Sequence, residues 1–284
     1  DMLCPASIVA ASPGTDGVTV TLEQNGKQEA IAGKLLVAAD GANSAVREMV
    51  GIGVSRVPYE QRAIVGNLLP QRAIRNRAFE RFTEDGPLAM LPVAAGRAGL
   101  VWVVSERVAE RILALEDAAF LSELQQTFGH RLGELTRVGT RSSYPLSLSK
   151  AIRLTAQRSV LVGNSAHGLH PAAAQGFNLG LRDVAALADC IADARDENPA
   201  AFDPGAPELL ARYAEWRRAD QQKLVRFTDG LVRLFGDPRP PIAALRGAGM
   251  LAFDLVPGVR KVFARHTMGL AGRLPRLSRG VPLT

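Results

Sequence analysis

Val160-Leu161-Val162-Gly163-Asn164-Ser165-Ala166-His167-Gly168-Leu169-His170-Pro171-Ala172-Ala173-Ala174-Gln175-Gly176-Phe177-Asn178-Leu179-Gly180-Leu181-Arg182-Asp183 begins in an apolar run of buried-strand length and ends inside a long helical pattern. A strand ending at Gly163 leaves the polar Asn164 at its carboxyl edge, where α/β sheets receive their ligands. Pro171 fixes the following loop, and Gln175-Gly176-Phe177-Asn178 opens a helix predicted over residues 175–194. The first turn of a helix has unsatisfied N–H donors and a partial positive charge, so it suits an anionic group. Gly176 would let the backbone approach a flat ligand closely.

Outward from that stretch, residues 35–39 form a second continuous apolar run, which stops at Asp40-Gly41 before a helix start at 43–50. Residues 7–11, 18–23 and 28–31 are strand-like and are separated by Pro13-Gly14, Asp16-Gly17 and Asn25-Gly26, which predicts a β-meander. Four more strand-like segments occupy 63–69, 78–82, 88–93 and 100–104, and helical patterns fill 106–128 before another strand around 136–144. After a Pro-rich break at 198–207 the tail is helical, with interruptions at Pro238, Pro240, Pro241 and Pro257. The fold class is therefore α/β with an α+β insertion. Residues 1–56 and 151–197 are two parts of one incomplete Rossmann-like domain, 57–150 a β-rich domain, and 198–284 a helical C-terminal region. A sheet entered at a late strand is expected to lack its earlier strands.

Composition excludes several classes. Hydrophobic residues make up 47% and charged residues 22% of 284 positions, a globular balance that does not suit a disordered chain. Two cysteines, Cys4 and Cys190, form no disulfide framework and have no metal-ligand spacing, so they read as reduced thiols. No apolar run reaches the roughly 18 residues of a membrane-spanning helix. The net charge of +6 is unevenly placed. From Pro207 to Thr284 there are 14 Lys/Arg and 6 Asp/Glu, leaving 20 and 22 of the chain's 34 and 28 for the rest. The aromatics and motifs of nucleic-acid binders are missing, so a basic tail points to an anionic membrane surface or a protein partner.

Two segments together are specific. Residues 37–47, with Asp40-Gly41 and Arg47, resemble the "DG" motif of the class A flavoprotein monooxygenases, and residues 160–183 resemble their "GD" motif. Their order, with a β-rich segment between, fits as well. Tyr59-Glu60-Gln61 and the stretch 77–92 resemble the branch that hydroxylates polyprenyl phenols in ubiquinone biosynthesis. The resemblance covers essentially the whole chain. It implies FAD as cofactor, NAD(P)H as reductant, O2 and a polyprenyl phenol as substrates, and a cytoplasmic enzyme that meets the inner membrane peripherally. It also implies cofactor-binding roles. Asp40 would lie near the pyrophosphate with Arg47 in support, and Gly163 and Asn164 would contact the ribityl–pyrophosphate part. Pro171 would line the flavin ring, and Gln175, Gly176, Phe177 and Asn178 would hold its pyrimidine edge. Asp183 would orient the loop. No catalytic side chain is assigned, because in this chemistry the protein mainly positions the flavin and excludes water.

The chain departs from the family pattern in three ways. Asn164 stands where Asp is usual, and Ala174 replaces a common Gly. The opening G-x-G-x-x-G strand and the acid that follows are missing, so FAD is expected to be weakly bound or absent and this chain inactive alone. Gly247-Ala248-Gly249-Met250-Leu251-Ala252 fits G-x-G-x-x-A but follows a helix-like stretch and reads as chance. Three other readings fare worse. His167 and His170, with Cys4, His130 and His266 elsewhere, make a poor metal set. Gly163-Asn164-Ser165-Ala166-His167 imitates a hydrolase elbow, with His266 as triad partner, but lacks its last Gly and its immediate helix. A non-catalytic scaffold or membrane-docking module of a quinone-synthesis assembly is the remaining alternative.

Overall fold

The computed structural model describes residues 1–171, 175–236, 239–256, 258, 260–261 and 273–283. It forms two compact units, Asp1–Val57 with Leu148–Thr228 and Gly258–Thr284, and Pro58–Ser147 with Asp229–Pro257.

The first unit starts with an antiparallel meander of β1 (Ser7–Pro13), β2 (Val18–Gln24) and β3 (Lys27–Gly33). Asn25 and Gly26 take φ of 52° and 73°, the left-handed pair that a two-residue hairpin turn demands. β4 (Leu36–Ala38) leads to the short helix α1 (Ala45–Met49). After the chain returns, the hairpin β11 (Thr155–Ala156) and β12 (Ser159–Leu161) sets β12 parallel to β4, with Val160 opposite Val37. All three residues of β12 are buried, as a parallel strand covered on both faces requires. Helix α4 (Gly176–Glu197) and the first part of α5 (Pro207–Gly236) cover it. Ala186, Leu187 and Cys190 of α4 and Leu209, Leu210 and Tyr213 of α5 share one core with Val160 and Leu161. The Tyr213 hydroxyl donates to the Leu161 carbonyl at 3.0 Å, fixing α5 on the strand.

The second unit is an antiparallel sheet in the order β10 (Ser142–Ala151), β5 (Val54–Pro70), β8 (Ala98–Ser105), β7 (Pro87–Pro92), β6 (Phe79–Phe82), with β9 (Leu135–Val138) also on β5. The residues Ser149 and Lys150 at the end of β10 pair with β13 (His167–Gly168) in the first unit. The alternating buried side chains Leu100, Trp102 and Val104 of β8 meet Ile112 of α2 (Glu106–Leu113) and Phe120 and Leu124 of α3 (Asp117–Phe128). The helical patterns read at 106–128 are these two helices. Glu116 sits in extended backbone as the N-cap of α3, and Asp117 places its charge on that helix's positive end.

Pro240 and Pro241 open α6 (Pro240–Leu255), since a helix's first turn needs no N–H from them. The G-x-G-x-x-A match at 247–252 is helical throughout and forms no phosphate loop. Pro238, Pro257 and His266 lie outside the described residues. Among those described, no helix is long and apolar enough to cross a membrane.

Candidate cofactor site

β12 ends in a tight 3-10 turn, Gly163–Ser165. Gly163 has φ +60°, and its Cα faces Gly180 of α4 so closely that a Cβ on Gly180 would come within 3.2 Å of it. The glycine at each position lets α4 lie directly against the turn. Ser165 Oγ reaches both the Ala38 carbonyl at 2.7 Å and the Val162 carbonyl at 2.8 Å, tying the turn to β4. Asn164 is left exposed at the strand's carboxyl edge.

Asp183, two turns into α4 and fully buried, organises this region. Its Oδ2 accepts from the Gly163 backbone N–H at 3.0 Å and from His167 Nε2 at 2.6 Å. Its Oδ1 accepts from Arg217 Nε at 2.7 Å and Gln221 Nε2 at 3.3 Å, both on α5. Burial alone would push the Asp183 carboxyl up, but His167 and Arg217 outweigh it, and the group titrates below its ordinary range. Arg217 also pairs with Asp220 at 2.7 Å, and Arg182 reaches the same carboxylate at 3.1 Å. One carboxylate thus joins the turn, β13, α4 and α5. The expectation that Asp183 orients the loop matches this geometry. His170, on the same loop and 2% exposed, has its pKa pushed down to about 4 by burial, so it is neutral near pH 7.

The first motif packs on the second through Arg47. Asp40 accepts from Ser44 Oγ and from the Val46 backbone N–H at 3.0 Å, while Ser44 caps α1 by accepting from the Arg47 N–H at 2.9 Å. Arg47, only 1% exposed, donates through Nη1 to the Ala42 carbonyl at 3.2 Å and the Ser165 carbonyl at 2.9 Å. Its Nε and Nη2 are buried and have no partner among the described residues.

Of the residues singled out in the sequence, Asp40, Arg47, Gly163 and Asn164 are brought together in this way. Gln175 occupies the N-cap position of α4 and is buried, Gly176, Phe177 and Asn178 form its first turn, and Pro171 is half-buried on the loop before it. Ala174 lies outside the described residues. Phe177 is 77% exposed, and a Cβ on Gly176 would meet nothing within 4 Å. Sequence reasoning missed Arg217, Gln221 and the structural part played by His167. The i, i+16 spacing of His167 and Asp183 lies outside the range of local patterns, and Arg217 counted only as one charge of the basic tail. Among the described residues no group of three or more His, Cys, Asp or Glu is placed to hold a metal.

The family model described as "FAD binding domain" matches residues 7–228. The chain belongs to the FAD-binding domain family. Its curated relatives include the protein named ubiquinone hydroxylase UbiL of Rhodospirillum rubrum, 42% identical over 99% of this chain and 65% of that protein. Another is the 3-demethoxyubiquinol 3-hydroxylase of Escherichia coli, 32% identical over 94% of this chain and 66% of that protein. This FAD-binding domain chain therefore spans about two thirds of the length of those relatives. Among solved structures, p-nitrophenol 4-monooxygenase PnpA of Pseudomonas putida superposes with a TM-score of 0.75 at 17% identity, covering 95% of this chain and 67% of that one. At that identity the likeness concerns the fold. The resemblance to class A flavin monooxygenases of the ubiquinone branch is borne out by the family and these relatives.

Proposed function

We propose that this chain supplies the flavin-facing and β-rich portions of an FAD-dependent aromatic-ring hydroxylase acting on a polyprenylated phenol in ubiquinone biosynthesis. The substrate is of the kind taken by 2-octaprenyl-6-methoxyphenol hydroxylase, which residues 59–61 and 77–92 resemble. A bound FAD would supply the redox chemistry that couples oxidation of NAD(P)H to insertion of one oxygen atom of O2 into the ring, the other leaving as water.

The observation that carries the reading is the exposed Asn164 together with the open first turn of α4. Among the described residues the N-cap of that helix makes no side-chain cap, and no acidic residue sits in its first turn, so the positive end of α4 suits an anionic ring edge. Open space over Gly176 suits a flat ring laid on the backbone. The Nε and Nη2 of Arg47, unpartnered among the described residues, suit an anionic group near Asp40. These residues fit a flavin. Asn164 would accept from ribityl hydroxyls, Gly163 would allow their close approach, and Pro171, Gln175, Phe177 and Asn178 would border the ring.

Retention of FAD by these 284 residues alone is proposed to be weak, because the G-x-G-x-x-G element that holds the ADP half has no counterpart in them beyond the helical 247–252 match. The test is the visible flavin absorbance of the purified chain beside that of the same protein extended at its N-terminus. Flavin retained only by the extended protein supports the reading, and flavin retained by neither overturns it.

A second contact is favoured by α6, where Leu245, Met250, Leu251 and Leu255 are all more than half exposed. A helix with so much bare apolar surface suits the interface of a membrane, where a polyprenyl substrate resides. That contact would also serve the alternative role of a docking module in a quinone-synthesis assembly.

A further inference from the structure

In the second unit, the loop from β5 to β6 and the turn after α3 enclose an open cavity of about 880 Å³. Arg72, Arg75, Arg77 and Arg131 line it, with Phe79 and Leu132 among its apolar residues and no carboxylate among the lining residues. Among the described residues none of these four guanidinium groups is paired with a carboxylate, whereas Arg111 and Arg141 of the same unit are paired with Glu123 and Asp117.

The loop that carries the arginines is held in place. The Gln71 backbone N–H donates to the Glu134 carbonyl at 2.7 Å and that of Arg72 to the Leu132 carbonyl at 2.9 Å, while Gln71 Oε1 accepts from the Glu134 N–H at 3.2 Å. Ile74, 4% exposed, anchors it in the core. Arg75 sits at φ +52°, an unfavourable conformation for a residue with a side chain. Four like charges around one opening repel each other unless an anion joins them, and their forked donors match phosphate oxygens.

We propose that this pocket binds the phosphate of an anionic phospholipid headgroup, with Phe79 and Leu132 against the glyceryl portion. A small free anion would leave most of the cavity and its apolar part unused. The proposal goes beyond the flavin reading and does not rest on it, since its test reads neither flavin nor activity.

The test is co-sedimentation of the full chain with vesicles of phosphatidylcholine alone and of phosphatidylcholine mixed with phosphatidylglycerol. The wild-type chain should bind the anionic vesicles preferentially, and the double reversal R75E/R77E should weaken this by about tenfold or more. Both residues are exposed, and circular dichroism should show that the variant stays folded. The double reversal K27E/R97E, with the same change in net charge, should retain most of the binding. Equal losses in the two variants, or no loss in R75E/R77E, would overturn the pocket. Binding of inorganic pyrophosphate without binding of anionic vesicles would overturn the lipid as its occupant.

Discussion

Asp183 and Arg217 meet at 2.7 Å with both side chains wholly removed from solvent. Two charges buried together are stable only while each keeps the other and while their remaining donors and acceptors are occupied. Asp183 meets that condition through Gly163 and His167, so the arrangement of the turn after β12 and that of α5 depend on one carboxylate.

Replacing that carboxylate strands a buried guanidinium. Asp183→Ala should lower the unfolding free energy by about 3–5 kcal/mol, read from urea denaturation. Asp183→Asn keeps an acceptor and should cost less. A loss under about 1 kcal/mol for the alanine variant would contradict a central place for this residue.

The contact between α4 and the turn predicts a steric effect independent of charge. Gly180→Ala puts a Cβ 3.2 Å from Gly163 Cα, so helix and turn must separate slightly, at a cost of about 1–3 kcal/mol. Gly163→Ala adds left-handed strain of about 1 kcal/mol. Thermal unfolding of both variants should show lower midpoints, and in the extended protein Gly180→Ala should also weaken flavin retention. An unchanged midpoint for Gly180→Ala would show that the two elements do not need to approach so closely.

The two thiols should differ sharply in reactivity. Cys190 is 1% exposed and burial pushes its pKa up to about 11, so little of the reactive thiolate forms at neutral pH. Cys4 is exposed. Iodoacetamide should label Cys4 alone in the native protein and both cysteines after denaturation, as mass spectrometry would show. Labelling of native Cys190 at a comparable rate would mean that the core around α4 opens readily.

Acid should destabilise the first unit in two adjoining windows. His170 has a folded pKa of about 4, against roughly 6.5 when unfolded. Between those values the unfolded chain takes up a proton that the folded chain refuses. The stability due to neutral His170 is therefore complete above about pH 6.5 and declines as pH falls toward about 4, by about 3 kcal/mol at most. Asp183, whose folded pKa is depressed, acts lower down: its contribution is lost as pH falls below the ordinary carboxylate value of about 3.9 toward the folded one. Urea midpoints measured across this range should show the decline, and His170→Asn should flatten only the upper window. An unaltered slope in that variant would assign the effect elsewhere.

Local patterns carried much of the fold. Asn25-Gly26 marked a hairpin turn and the structure has one there, between β2 and β3. The apolar runs at 35–39 and 159–162 read as buried strands, and β4 and β12 pair in parallel. The helix predicted at 175–194 is α4, extended to Glu197. What stayed hidden depends on partners far apart in the chain. Nothing near Arg47 announces the carbonyl of Ser165, and nothing near Arg217 announces Asp183. The tail arginines, counted as a basic surplus, include Arg217 in the core and Arg276, which pairs with Asp189 and Asp193 of α4. A charge count records such residues but not where packing will put them.

The cluster around Asp183 also constrains how this sequence is able to drift. Positions 167, 183 and 217 are costly to exchange one at a time, since each single loss takes a buried polar partner from another. Apolar residues of matching volume at all three together would avoid that penalty but would release the Gly163 N–H from its acceptor. Random mutation of any one position should therefore recover little besides the starting residue, and tolerated changes should arrive as combinations, making the trio a single heritable unit.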